Sequence, residues 1–201
     1  MYGLPQSTEI KKQLPKKAIF SKFELKPSQR ESFDADISRI DVVAVVSPAT
    51  IPAIAKSENI LGIYVLAVQL KRKEYDAKNI TLLSRFIPNK VVFALHFEEQ
   101  VQFAINHTKL ITSDWKSDTT DLSFLTLNGL NLDTVWDNIV ISIGDIQVEQ
   151  GKSVAEQISA DNQRAKILAQ IAVLERKMAN EKQPRRKREY FEQIKKLKAQ
   201  I

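Results

Sequence analysis

The segment Glu181-Lys182-Gln183-Pro184-Arg185-Arg186-Lys187-Arg188-Glu189-Tyr190 sets the fold of the C-terminal quarter of this chain. Proline lacks a backbone N–H donor, and it disfavours the helical conformation of the residue before it, which is Gln183. Helical periodicity runs up to this segment and resumes after it. We therefore predict two helices with a short basic turn between them at Pro184.

Apolar residues recur on both sides of the turn with spacings of four, three and four. The first set is Ile167, Ile171, Leu174 and Met178, and the second is Tyr190, Ile194, Leu197 and Ile201. This spacing is typical of helices that pair along one seam. We predict a coiled-coil-like, antiparallel helical hairpin over residues 152–201.

Charge divides the chain into the same two parts. The net charge is +6, and residues 152–201 hold 13 Lys and Arg against 6 Asp and Glu, whereas residues 1–151 hold 17 against 18. A concentrated positive charge attracts phosphate backbones or an acidic protein surface, with a strength that falls with salt. The alternative is a solvated hairpin whose lysines only maintain solubility.

Residues 1–151 are predicted to form one globular domain with an α+β fold, in which flanking helices pack on a mixed β-sheet. Strands are predicted at residues 40–46, 60–70 and 90–97, and a helix at residues 76–87 lies between the last two. A strand, a helix and a strand in this order predict a parallel pair with a crossover.

The remaining elements of this domain are assigned from caps and alternation. Short helices are predicted from Ser7 or Thr8 to Leu14, from Pro15 onward, and at residues 28–37. A half-buried β-meander is predicted from Val101 to Trp115, a strand or loop at residues 119–127, and a helix from an Asn131 or Asp133 cap to Gly144.

Composition excludes several classes of protein. The chain has no cysteine, which excludes disulfides, cysteine nucleophiles and thiolate metal sites. It has no apolar run of the roughly 18 residues that a membrane span needs. We expect a cytoplasmic protein with no membrane partner and no cofactor.

A divergent Mg²⁺-dependent nuclease of the restriction type is one alternative function. In such enzymes a strand carries an acidic residue, and the next strand carries Glu or Gln, any residue, and then Lys. Here the candidates are Asp41 and the pair Gln69 and Lys71. Gln69 replaces the usual carboxylate, and Asp41 begins its strand.

No other catalytic or metal motif is present in the sequence. His96 and His107 are the only histidines, and they lack an evident third metal ligand. We expect His96 on the sheet surface and His107 in a turn. The sequence has no nucleophile elbow, no GxGxxG motif and no Walker lysine, so we expect a protein that is not an enzyme.

The candidate binding residues lie in the C-terminal hairpin. Arginine suits the geometry of phosphate oxygens, and an aromatic side chain beside it is able to stack on a base. A partner protein's helices are the alternative target of the hairpin. The candidate residues are Arg176, Lys177, Lys182, Arg185, Arg186, Lys187, Arg188, Tyr190 and Lys195.

Several segments taken together resemble an uncharacterised prokaryotic family of domain-of-unknown-function proteins. They are Leu4-Pro5 to Ile10, Leu14-Pro15-Lys16, Ile87-Pro88, Val91-Val92-Phe93-Ala94-Leu95, Leu174-Glu175, Glu181-Lys182-Gln183, Lys187 to Glu189, and Ile194 to Leu197. The resemblance implies a gene that often lies beside DNA helicases and DNA methyltransferases in restriction-like defence loci. It implies no catalytic residues.

These observations together predict a non-catalytic accessory subunit of a DNA-processing, anti-phage complex. The expected partners are a DNA helicase or methyltransferase subunit, nucleic acid, or both, and the basic hairpin is the expected contact. Two alternatives stay open, namely the Mg²⁺ nuclease and a homodimeric structural protein that associates through the hairpin.

Overall fold

The computed structural model describes residues 2–117 and 125–200. The chain divides into two compact units, Met1–Gln147 and Val148–Ile201. We call the first unit the body and the second unit the hairpin. Each is described by itself.

The body is built on a mixed sheet with the strand order β1-β2-β3-β4-β5-β6, and β7 pairs with β5. Strands β3 and β4 are parallel, and the other described pairs are antiparallel. The strands are β1 (Glu9–Gln13), β2 (Ile37–Val46), β3 (Ile63–Leu70), β4 (Lys90–Phe97), β5 (Gln100–His107), β6 (Lys109–Thr112) and β7 (Lys116–Ser117).

Helices cover both faces of this sheet. One face is covered by α1 (Lys16–Phe23), α2 (Pro27–Asp36) and α3 (Ala77–Ser84). These helices form a core with residues of β2 to β5, to which they contribute Ile19, Phe33, Ile80 and Leu83. Helix α4 (Leu132–Gly144) lies on the opposite face, because Trp136 contacts His107, which shares that face with Phe103 and Ile105. The predicted α+β fold with a mixed sheet is therefore confirmed, including the parallel pair.

The caps explain where two of these helices begin. The Asp76 side chain accepts a hydrogen bond from the Lys78 N–H at 2.9 Å, and the Asn131 side chain accepts one from the Thr134 N–H at 2.9 Å. Each side chain satisfies a backbone donor that has no partner within its helix. The predicted Asn131 cap is confirmed, and α4 ends at Gly144 with Asp145 in the left-handed conformation.

Three predictions for the body are wrong. Asp41 does not begin its strand, because β2 extends from Ile37 to Val46. Residues after Thr8 do not continue as a helix, because Glu9–Gln13 pairs with β2 as an edge strand. Strand β5 is not exposed to solvent on one face as predicted, since it is buried on both faces from Val101 to Ile105. The amide of Gln102 makes this possible, because its oxygen accepts from the Tyr75 hydroxyl and its nitrogen donates to the Ser113 carbonyl, both at 2.8 Å.

The hairpin consists of α5 (Val154–Asn180) and α6 (Pro184–Lys198). Ser153 and Glu156 form a capping box at the start of α5. Ile167, Ile171 and Ile194 are buried between the helices, and Leu174, Met178 and Leu197 pack against them. The predicted seam is thus filled by residues of the same chain, with Ile201 outside the described residues.

Two further findings bear on the sequence predictions. Residues 118–124 of the predicted strand or loop at 119–127 lie outside the described residues. Among the helices of the described segments, none combines the length and the apolar character that spanning a bilayer requires.

Candidate nucleic-acid interface

The tip of the hairpin is the turn between α5 and α6 together with the helix ends on either side, residues 176–190. Helix α5 ends at Asn180, and Glu181 and Gln183 adopt extended backbone conformations with ψ of 134° and 120°. Pro184 then occupies the first position of α6. Proline suits this position because its fixed φ is helical and its missing N–H would have no helical partner. The predicted break before Pro184 is confirmed.

The positive charge of the hairpin is concentrated at this tip. Residues 176–188 contain seven Lys and Arg and one Glu, a net charge of +6. Residues 152–175 are neutral with three charges of each sign, and residues 189–201 carry +1 from three Lys and two Glu. Residues 176–188 therefore account for nearly all of the +7 that residues 152–201 carry.

Three of the predicted binding residues line one groove at the tip. The groove has a volume of about 490 Å³, and its lining includes Arg176, Lys177 and Tyr190. Val173, Asn180 and Glu181 complete it. Tyr190 is half-buried there, so the cations stand beside an aromatic ring and an apolar side chain.

Four more predicted residues, Arg185 to Arg188, lie in the first two turns of α6, and all are exposed. Two of the four have a carboxylate within ion-pair distance. The Arg185 guanidinium lies 3.5 Å from Glu189 and is 93% exposed, and that of Arg186 lies 3.9 Å from Glu181. Exposed pairs of this kind contribute little to stability. These cations therefore stay available to an external anion.

The remaining two predicted residues are placed differently. Lys182 is exposed in the turn itself. Lys195 is also exposed, but it lies seven residues beyond Arg188 and therefore about 10 Å further along the helix axis. The structure brings eight of the nine predicted residues to the tip and leaves Lys195 away from it.

The cations at the start of α6 oppose the helix dipole. The first turn of this helix contains no acidic residue, and Gln183 makes no side-chain capping hydrogen bond. The N-terminus of a helix carries a partial positive charge, so Arg185 and its neighbours are less favourable there than carboxylates would be. This arrangement weakens α6 and strengthens the attraction of the tip for an anion.

Glu181 is the one acidic residue within residues 176–188. Its carboxylate accepts hydrogen bonds from the Gln183 N–H at 3.0 Å and the Lys182 N–H at 2.9 Å. The hydrogen bond from Gln183 is the largest cause that lowers the pKa of Glu181 below its ordinary value, and Arg186 and Lys187 lower it further. Glu181 is therefore ionised at neutral pH, and its two hydrogen bonds stabilise the turn.

A second, apolar groove lies on the hairpin and adjoins the first, since Val173 lines both. It has a volume of about 610 Å³, and Val173, Leu174 and Leu197 are part of its lining. Leu168, Val173 and Phe191 are about half exposed on the hairpin. These positions lie off the predicted seam, and apolar residues off the seam were the signal in the sequence that could have identified them.

The candidate nuclease residues are engaged by other groups. The Arg39 guanidinium donates two hydrogen bonds to the Asp41 carboxylate, at 2.6 and 3.0 Å. The Lys71 ammonium donates to the Asp34 carbonyl at the end of α2, at 2.6 Å. Gln69 is exposed and pairs with Arg39 across the strands. Within residues 2–117 and 125–200, no group of three or more metal-ligating side chains comes together.

The two histidines lie at opposite ends of the antiparallel strand pair β4–β5. His96 pairs with Val101 beside the turn, whereas His107 ends β5. Six strand residues separate these positions, a distance of about 20 Å. The His96 Nε2 lies 2.7 Å from the Tyr2 hydroxyl, and the His107 Nδ1 lies 3.4 Å from the indole Nε1 of Trp136. Both rings therefore contribute to packing.

In a comparison with protein-family models, residues 2–201 match a family described as domain of unknown function (DUF4391). The chain belongs to the DUF4391 family. The match includes both the body and the hairpin, so the tip is part of what the family model describes. Searches of curated proteins and of solved structures returned no match to this chain.

Proposed function

We propose that this DUF4391 chain is a non-catalytic accessory subunit of a DNA-processing complex, and that the hairpin tip holds nucleic-acid phosphates. The observation that supports this most strongly is the net charge of +6 within residues 176–188. These charges have few carboxylate partners, and four of them stand at the positive end of α6. A polyanion relieves this repulsion when it binds.

The side chains at the tip fit a phosphate backbone well. Arg176, Arg185, Arg186 and Arg188 offer planar donors that match two phosphate oxygens at once. Lys177, Lys182 and Lys187 add point charges around them. Tyr190 is positioned to stack on an exposed base or sugar, because its ring lines the same groove as Arg176 and Lys177.

The proposed protein partner is a DNA helicase or methyltransferase subunit, in an anti-phage defence complex. The apolar groove along α5 and α6 supports a protein contact on the hairpin, since Val173 is exposed and no arginine is part of its lining. It adjoins the groove at the tip through Val173. An apolar centre with a charged margin is typical of surfaces that receive a helix. Nucleic acid and protein would then use different parts of the hairpin.

The test is the salt dependence of DNA binding by the full-length protein. Changing Arg185, Arg186, Lys187 and Arg188 together to Ala removes four cations from the tip. We expect affinity for a short DNA duplex to fall by about tenfold or more at moderate salt. The slope of log K against log salt concentration should fall in magnitude by about three to four.

A matched control separates the tip from net charge. Changing Lys56, Lys78, Arg164 and Lys166 to Ala removes the same charge from exposed sites elsewhere. This variant should bind within about twofold of the wild type. Equal affinity and equal slopes for the tip variant and the wild type would refute phosphate binding by the tip.

A further inference from the structure

Charge is also unevenly distributed within the body. Residues 1–30 contain seven Lys and Arg and two Glu, a net charge of +5, whereas residues 31–151 contain ten Lys and Arg and sixteen Asp and Glu, a net charge of −6. The near-zero total for residues 1–151 therefore conceals a strongly basic segment.

The basic residues of this segment lie on consecutive exposed elements. Lys11 and Lys12 are in β1, which lies at the end of the strand order. Lys17 and Lys22 are on the exposed side of α1, and Lys26 is the N-cap residue of α2. All five side chains are exposed. We call these five residues the cationic ribbon.

Most of the ribbon has no structural partner. The neighbouring Lys16 forms an ion pair with Asp34 at 2.7 Å, and the Lys22 ammonium donates to the Phe86 carbonyl at 2.6 Å. By contrast, Lys11, Lys12, Lys17 and Lys26 belong to no ion pair within the described part of the chain. Their ammonium groups therefore have no carboxylate that compensates their charge among those residues.

Protection of the sheet edge explains only part of this pattern. Lysines on an edge strand prevent pairing with other chains, and Lys11 and Lys12 have that position. Lys17 and Lys26 are outside β1, and they protect no strand edge. Arg85, exposed after α3 and adjacent to the Phe86 that holds Lys22, extends the positive surface further.

The surface offers charge without exposed apolar area. Ile19 and Leu25 are buried, and Phe20 and Phe23 pack against the core. Among the described residues of the body, the exposed large apolar ones are Leu61 and Leu130, which belong to other segments. Protein interfaces need an apolar centre, and membrane-bound helices need an apolar face. Charge alone is what a phosphate backbone requires.

We propose that the cationic ribbon is a second nucleic-acid contact, which binds the phosphate backbone of the DNA that the hairpin tip also holds. The proposal extends the proposed function, because it adds a second point of attachment on the body. Two tethered contacts on one polyanion raise the overall affinity above that of either alone. The salt dependence of binding then includes the phosphates that both surfaces neutralise.

The test uses the full-length protein with four ribbon lysines changed, Lys11→Gln, Lys12→Gln, Lys17→Gln and Lys26→Gln. Lys22 is kept because its ammonium holds the Phe86 carbonyl. We expect DNA affinity to fall by about tenfold at moderate salt and the salt slope to fall in magnitude by about three. The matched control, with Lys56, Lys78, Arg164 and Lys166 changed to Gln, has the same net charge and should stay within about twofold of the wild type.

Four results distinguish the possibilities. Equal losses in the ribbon variant and the control would overturn the inference, because net charge alone would explain them. Unchanged DNA binding by the ribbon variant, with a loss in the tip variant, would overturn the inference and leave the proposed function standing. A loss of DNA affinity in the ribbon variant alone would support phosphate binding by the ribbon and refute phosphate binding by the tip. Loss of binding to anionic phospholipid vesicles, with DNA binding intact, would reassign the ribbon to a lipid surface.

A variant with arginine at the same four positions keeps the charge. It should restore both the affinity and the salt slope if the ribbon acts through phosphate contacts. Thermal unfolding of each variant shows whether it is folded. A ribbon variant that is folded, weakened in DNA binding and not rescued by arginine would contradict a charge-based contact.

Discussion

Charged side chains have different roles in the body and in the hairpin. In the body, Asp36 is fully buried and is held by Arg72, by the Asn79 amide at 2.7 Å and by the Asp76 N–H at 2.8 Å. At the tip of the hairpin, Arg185 is 93% exposed, and its nearest carboxylate lies 3.5 Å away. Buried charges need such partners in order to be stable, whereas exposed ones do not. The difference indicates that Asp36 supports the fold and that Arg185 is available for binding.

The largest expected effect is on the stability of the body. Changing Asp36 to Ala leaves the Asn79 amide and the Asp76 N–H without their acceptor at a buried position. We expect the free energy of unfolding to fall by about 3 kcal/mol. Urea denaturation, monitored by circular dichroism, measures this change.

The control for this prediction is Asp34→Ala. Asp34 pairs with Lys16 through a carboxylate that is about half exposed, so its loss should cost less than about 1 kcal/mol. Similar losses for the two variants would show that burial does not distinguish them. The distinction between buried charges that stabilise the fold and exposed charges that are available for binding would then not hold within the body.

The stability of the body should also depend on pH through Asp36. Burial by itself would raise the pKa of Asp36, but hydrogen bonds from the Asp76 N–H, Arg72 and Asn79 together lower it below the ordinary value of 3.8. The stabilisation is therefore complete above pH 3.8 and is lost as the pH falls through the lower pKa of the folded state.

The variant Asp36→Asn isolates this dependence, because its side chain does not titrate. We expect the difference in unfolding free energy between wild type and variant to shrink as the pH is lowered below 3.8. Urea titrations at several acidic pH values measure it. A difference that is constant across this range would show that the carboxylate is not the stabilising species.

The smallest expected effect concerns Glu181, the single acidic residue within residues 176–188. Changing Glu181 to Gln keeps an oxygen that accepts from the Lys182 and Gln183 N–H groups, and it raises the net charge of residues 176–188 by one. We expect DNA to bind up to about threefold more tightly. Fluorescence anisotropy with a labelled duplex measures this, and weaker binding would mean that Glu181 shapes the tip more than it repels DNA.

The parts of the fold that follow a strong periodic pattern were predictable from the sequence. The seam of Ile167, Ile171 and Ile194 follows helical spacing, and strand β4 was predicted with the bounds that the structure has. Pro184 marks the turn because its chemistry permits few alternatives. These signals are local, because each predicts the structure of the segment in which it occurs.

The errors arose where distant parts of the chain determine the structure. Strand β1 is mostly exposed and has no apolar alternation of its own, and it is a strand because β2 pairs with it from about thirty residues away. Gln102 is buried because Tyr75 and Ser113 supply its hydrogen-bond partners. The cations of the tip were visible in the sequence, but which of them share the groove with Tyr190 depends on how α5 and α6 pack.

The most direct test of the central claim is a map of where DNA contacts the chain. Hydrogen–deuterium exchange of the full-length protein, with and without a short duplex, gives such a map by peptide. We predict slower exchange in peptides covering residues 176–190 when DNA is bound, because DNA would stabilise the weakly capped start of α6. Unchanged exchange in those peptides at saturating DNA would contradict the account.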